Sequence, residues 1–181
     1  MRKATFLSIL PIVTAVIFAS GCGTTYSWRP SVPDDMRTVS VPSFRNESNV
    51  QELGAVITRQ VLREFQREGT FAIRGSGDAA LEVQGIVKDA GANATAYDRR
   101  SGLRIASYEM SATVIVSVID KKAGRVLVDN KPYRATATFA AGQDLSTAQR
   151  DASGRLADDL ARQVVDDVTS LKWQRGKGED R

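Results

Sequence analysis

Tyr108-Glu109-Met110-Ser111-Ala112-Thr113-Val114-Ile115-Val116-Ser117-Val118 is the longest strand signal in the chain. Met110, Ala112, Val114, Val116 and Val118 fall on one face; Glu109, Ser111, Thr113 and Ser117 fall on the other. That period of two predicts a strand with one buried and one wet side. Downstream, Asp120-Lys121-Lys122-Ala123-Gly124 reads as a hairpin connection, with Gly124 where a positive φ is needed. Val126–Val128 and Tyr133–Phe139 make the return strand, and Pro132 between them predicts a bulge or an edge position.

Upstream, Ala80–Lys88 alternates in the same way, with Leu81, Val83, Gly85 and Val87 against Glu82, Gln84 and Lys88. Phe71-Ala72-Ile73 is a brief extended piece ended by the turn Gly75-Ser76-Gly77-Asp78, and its place in the main sheet is left open. Before it, Leu53, Val56, Ile57, Val61, Leu62 and Phe65 recur at helical spacing, closed by Gly69, with Ser48 or Asn49 available as cap. Thr38-Val39-Ser40-Val41 is a short strand stopped by Pro42. At the far end, Leu156, Leu160, Val164, Val168 and Leu171 stripe a helix of about 25 residues starting near Ser146. The order strand, helix, strand, strand, strand, helix predicts an α+β two-layer sandwich. Its sheet is mixed, mostly antiparallel, of about four strands, with two helices packed on one face.

The 181 residues carry 25 basic and 21 acidic side chains, one cysteine and no histidine. An intramolecular disulfide and a cysteine-cluster metal site are excluded, and the commonest general base is missing. Asp158-Asp159 and Asp166-Asp167 read as a solvated helix face, and Gly75-Ser76-Gly77 lacks the basic helix start of a phosphate loop. The expectation is a protein that is not an enzyme, with no cofactor, no metal and no nucleic-acid partner. Tyr97-Asp98-Arg99-Arg100-Ser101-Gly102-Leu103-Arg104 stands out because Arg99, Arg100 and Arg104 gather at the tip of a long hairpin. Guanidinium forks suit phosphate, and an apolar neighbour suits an acyl chain. The bland alternative is a charged tip that discourages edge association.

Arg2-Lys3 and the apolar stretch Ala4–Ala19 form an export signal too short to span a bilayer. Its exit, Ala19-Ser20-Gly21-Cys22, resembles the lipobox of bacterial lipoproteins, with Ala19 where leucine is usual. The resemblance implies cleavage before Cys22, a thioether-linked lipid on it, and an anchored mature chain. Gly23 in place of aspartate favours the outer membrane. The expected organisation is a signal peptide over 1–21, a lipidated tether over 22–36, one domain over 37–172 and a polar tail over 173–181.

Taken in order, these pieces resemble the lipopolysaccharide-assembly lipoprotein family, LptE. The resembling residues are the lipid cysteine with Tyr26 close behind, Val39-Ser40-Val41-Pro42-Ser43-Phe44-Arg45-Asn46-Glu47-Ser48, Gly77–Gly85, Tyr97, Tyr108 and Asp120–Leu127. The resemblance implies a partner, the LptD β-barrel translocon of the outer membrane, in whose lumen such lipoproteins sit as a plug on the periplasmic face while lipopolysaccharide passes to the outer leaflet. Arg99, Arg100 and Arg104 are then the candidate contacts to lipopolysaccharide or barrel. The alternative is a periplasmic envelope lipoprotein that activates a peptidoglycan synthase or belongs to a curli-secretion-like assembly.

Overall fold

The computed structural model describes residues 32–97, 104–142, 144–171 and 173. A single turn of 3-10 helix, Asp34–Met36, leads into β1 (Thr38–Ser40) and β2 (Arg45–Asn46). Then follow α1 (Leu53–Glu68), β3 (Ala72–Ile73), the long strands β4 (Leu81–Tyr97), β5 (Ile105–Asp120) and β6 (Arg125–Ala140), and α2 (Leu145–Ser170). The sheet order is β3-β1-β4-β5-β6, with β2 beside β4 beyond the end of β1. β1 and β2 run parallel to β4, while β4-β5-β6 is an antiparallel meander.

The fold is the expected α+β sandwich, with six strands where about four were read. The two extra are pairs of residues, too short to leave a periodic signal. Phe71–Ile73 does enter the sheet, since Thr38 and Val39 pair with Ala72 and Ile73. β4 and β5 also run further than the apolar alternation indicated: Ala90 to Tyr97 carries only small and polar residues before its tyrosine, yet the backbone ladder continues from Leu81↔Asp120 to Tyr97↔Ile105.

On β5 the alternation reads out as expected. Met110, Ala112, Val114, Val116 and Val118 are all buried under the helices. They meet Val83 and Val87 of β4, Tyr133 and Ala137 of β6, Ile57 and Val61 of α1, and Leu156, Leu160 and Val164 of α2 in one core. Fully burying side chains of this kind contributes about 1.5–3 kcal/mol each. The opposite sheet face is open to solvent over β4 and β6 and carries Gln84, Lys88, Arg134, Thr136 and Thr138.

The glycines read as a helix end and a hairpin turn do what their type predicts. Gly69 and Gly124 sit at φ 80° and 63°. β6 bulges on either side of Val128, where two steps along β5 match three along β6 and then one matches two; Asn130 takes φ 45° in the first bulge, just before Pro132. One expectation is corrected. Neither Ser48 nor Asn49 caps α1; the N-cap is Glu52 at φ 61°, without a side-chain cap bond. The hydroxyl and amide of Ser48 are engaged by Asn46 Oδ1 at 2.7 and 3.0 Å, and Asn46 Nδ2 donates to Val50 O at 2.8 Å. Asn46 thus holds the loop, and the helix begins after it. α2 starts one residue before the reading, capped by Asp144, whose carboxylate accepts from Thr147 N at 3.0 Å. Those bonds from Thr147, helped by Ser146, hold the Asp144 carboxyl at about 2.

Candidate functional site on the hairpin arm

β4 and β5 carry the antiparallel ladder far beyond β1 and β2, whose last partner on β4 is Val87. The arm so formed is three strands wide over nearly all its length, because β6 follows β5 as far as Ser107↔Ala140, level with Ala96↔Ser107, and only the last pair, Tyr97↔Ile105, is two strands wide. Its helix-facing side is apolar: Ala92 lies opposite Met110, Ala94 opposite Tyr108, and the Tyr108 ring stacks on Phe139 at 5.4 Å and 16°. Its other side is polar, with Asn93 opposite Glu109 and the hydroxyls of Thr95 and Ser107 bonded at 3.0 Å. Tyr97, 59% exposed, ends β4, and Leu145, 42% exposed, opens α2.

Of the residues singled out from sequence, Arg104 lies at the bend that starts β5 and is exposed. Cys22, Arg99, Arg100, Tyr26 and Trp28 lie outside the described residues. Arg99 and Arg100 belong to the connection between Tyr97 and Arg104, the two ends of the arm. Trp173, placed with the tail by composition, packs its ring 5.9 Å from Phe71.

The acidic pairs on α2 divide. Arg162 forms ion pairs with Asp158, at 3.9 Å, and with Asp159, all well exposed. Asp167 instead turns to the sheet, bonding Lys131 Nζ and accepting from Tyr133 Oη at 2.6 Å. Burial pushes the Asp167 carboxyl up, but the bonds from Lys131 and Tyr133 outweigh it and hold the group below the ordinary carboxylate range. Burial, and then the carboxylate beside it, push the Tyr133 phenol well above its usual range. This cluster ties α2 to β6, and the sequence shows no sign of it because its members lie 34 and 36 residues apart. At the start of β4, Glu82 gathers Ser76, Gln84 and Lys121. Bonds from Gln84 and Ser76 lower its carboxyl further than burial raises it. The Gly75-Ser76-Gly77 segment is therefore a turn that seats β4 against the β5–β6 connection.

The Pro42–Ser48 motif is structural. Phe44 sends its ring across Gly85 of β4, its N–H donates to Thr58 Oγ1 at 2.9 Å, and its carbonyl lies against Gly54. Gly85 and Gly54 leave the room that Phe44 fills, which locks β2 and α1 onto β4. Among the described residues no cluster of three or more potential ligands could hold a metal, and no helix is long and apolar enough to cross a membrane.

The family model for lipopolysaccharide-assembly, LptE, matches residues 36–168, from the turn before β1 to the last turn of α2. The chain belongs to the LptE family. No curated protein matches it. Among solved structures it is similar to the protein CT253 of Chlamydia trachomatis, at TM-score 0.51 and 13% identity over 74% of this chain and 96% of that one. It is also similar to an uncharacterized lipoprotein B of Nitrosomonas europaea (TM-score 0.48, 12% identity, 82% and 88% covered) and a minor lipoprotein of Acinetobacter baumannii (0.46, 13%, 74% and 91%). At 13% identity the likeness to CT253 concerns the fold alone.

Proposed function

We propose that this chain is a lipid-anchored outer-membrane protein that sits as a plug in an LptD-like β-barrel and helps pass lipopolysaccharide to the outer leaflet. The observation that carries the reading is the family match over residues 36–168, which spans every long element of the domain. Cys22 carries the anchor once residues 1–21 are removed, and 22–36 is the tether from the periplasmic face of the bilayer to the domain. The mass of the mature amino terminus checks this step, and a bare thiol there refutes it.

The arm is the working part. Its polar face, with Asn93, Glu109 and Thr95, suits a water-lined lumen. Arg99, Arg100 and Arg104 at its end meet the phosphates of lipopolysaccharide, or acidic groups of the lumen, through forked charge-assisted bonds. Nothing in the mechanism requires bond making; the protein acts by contact.

The test is affinity purification from detergent-solubilised envelopes, with the native chain and with Arg99, Arg100 and Arg104 all changed to Ser. The native chain is expected to bring down a large β-barrel protein, and the variant to retain lipopolysaccharide about tenfold less well. Unchanged lipopolysaccharide binding together with unchanged barrel recovery removes the role of the arginines. Recovery of a peptidoglycan synthase instead of a barrel refutes the plug reading.

A further inference from the structure

Among the described residues, and besides the two-residue β2, the sheet has three places where a strand's outer side could be free, and two are guarded. Along β6, Arg155 Nη2 donates to Thr138 O at 3.0 Å and Gln163 Nε2 to Arg134 O at 3.1 Å, and the Asn130 bulge with Pro132 breaks the rest. β3 is two residues long. The third is β4 beyond Val87. Glu47 N donates to Val87 O at 2.9 Å, and there the β2 side of the ladder stops. From Asp89 to Ala96 the described residues pair β4 with β5 alone.

That stretch reads Asp-Ala-Gly-Ala-Asn-Ala-Thr-Ala: one charge at its start, no proline and no lysine. An unguarded edge of this kind is a template for a further strand.

Once residues 1–21 are removed as proposed, neither residues 22–31 nor residues 174–181 are long enough to lie along it. Trp173 is fixed beside Phe71, level with the start of β4. Residues 174–181 extend at most about 28 Å, while Asn93 lies roughly 40 Å along the strand. Val32 is held by Arg37 Nε at 3.2 Å at the same end, and residues 22–31 reach about 36 Å, also short of the middle of the edge. A second copy fits poorly. Paired edge to edge, it brings Ala92 and Ala94 against Ala92 and Ala94, so the apolar side beside Tyr108 stays unfilled and little beyond backbone is buried, against the roughly 1,000 Å² of a stable interface.

We propose that Asp89–Ala96 accepts an extended segment of the barrel partner as an added strand. Large apolar side chains at alternate positions of that segment lie over Ala92 and Ala94 beside Tyr108. Its intervening polar side chains continue the face that carries Asn93. The inference rests on the plug reading and adds to it the surface through which the plug is held. Backbone bonds supply the attachment, and small edge side chains make it tolerant of the partner's sequence.

The experiment places p-benzoylphenylalanine at Asn93 or, as control, at Thr136 on the open face, in full-length chain expressed in cells and cross-linked before purification. A barrel adduct from position 93 well above that from position 136 is expected. Ala92→Lys, whose exposed side chain puts an ammonium on the apolar side of the edge, should lower that adduct about tenfold, the loss of roughly two ladder bonds. An unchanged thermal midpoint for Ala92→Lys shows that folding is not the cause; Asn93→Lys with the reporter moved to Thr95 serves if the midpoint moves. If the barrel co-purifies but position 93 cross-links no better than 136, or the adduct survives both lysines, the inference falls and the plug reading stands. An adduct with a second copy or another envelope protein also overturns it. If no barrel co-purifies, both fall together, and that result is distinct because it precedes any cross-link.

Discussion

Three glycines on neighbouring elements predict opposite responses to one added methyl group. A Cβ on Gly85 would lie 2.5 Å from Phe44 Cζ and nearer still to Cδ2 and Cε2. The ring has nowhere to go, because Phe44 is buried and its backbone is held by Thr58. Gly85→Ala therefore forces overpacking of about 1–3 kcal/mol, less the roughly 0.5–1 kcal/mol that alanine gains over glycine in a strand. In Gly54→Ala the Cβ meets backbone, 2.6 Å from Phe44 O, so α1 itself must shift; the roughly 1 kcal/mol helix-propensity gain is overrun. A Cβ on Gly91, on the same strand as Gly85, meets nothing within 4 Å, and Gly91→Ala should be neutral or stabilising by up to about 1 kcal/mol. Urea unfolding of the purified protein orders the three. A second arm uses Phe44→Ala, expected to cost about 3–5 kcal/mol alone. In its background Gly85→Ala should no longer destabilise, a coupling of 1 kcal/mol or more across the pair, within the usual range for touching residues at about 0.5–3 kcal/mol. If Gly85→Ala proves as stable as Gly91→Ala, or the two costs simply add, the ring does not sit where the lock requires it.

Two further tests address Asp167, partly exposed, and Asp120, buried. Asp167→Ala leaves the half-buried Tyr133 hydroxyl without its acceptor and frees Lys131, an expected loss of about 1–2 kcal/mol at neutral pH, mostly from the phenol bond because the lysine pair is exposed. Since the folded Asp167 carboxyl is held below its ordinary range, that stabilisation is complete above about pH 5 and is lost as pH falls through the folded value. The gap between native and variant proteins should therefore narrow as pH falls through the folded Asp167 value, and a constant gap across that window in thermal melts contradicts the assignment. Asp120, 1% exposed, accepts from Lys122 N at 3.1 Å and Ala123 N at 3.0 Å and faces Arg125 Nε at 3.5 Å. Asp120→Ala strips the β5–β6 turn of both bonds and should cost about 2–3 kcal/mol, whereas Asp120→Asn keeps an acceptor there and should cost less; equal effects in urea unfolding would show that the turn bonds contribute nothing.

How far the fold could be read from the residues depended on whether each element declared itself through buried side chains. β5 did, because every second residue enters the core, and the stripe of α2 did for the same reason. The outer half of β4 did not. Ala, Gly, Asn and Thr carry little hydrophobic contrast, yet an antiparallel ladder needs only backbone donors and acceptors, so the strand continues where the pattern stops. The cap of α1 went unread for a different reason. Ser48 and Asn49 have the right side chains, but Asn46 competes for Ser48 first, and the helix waits for Glu52. The Phe44–Gly85–Gly54 lock is a relation in space between residues up to 41 positions apart, and no local pattern carries such a relation.

The site divides along the same line. Three arginines near a hairpin tip are a local feature, visible from spacing, and the ladder places Arg104 at the end of the arm accordingly. Among the described residues, the side of β4 beyond Val87 lacks a neighbouring strand because β2 stops there, a fact that exists only after folding. The two features call for different partners. Guanidinium groups at the tip answer charge, and their contribution should weaken as ionic strength rises. An open strand edge answers backbone, and its contribution should be nearly indifferent to salt. Raising salt during barrel co-purification should therefore strip lipopolysaccharide from the arm before it releases the barrel. The opposite order would mean that the arginines, and not the edge, hold the plug in place.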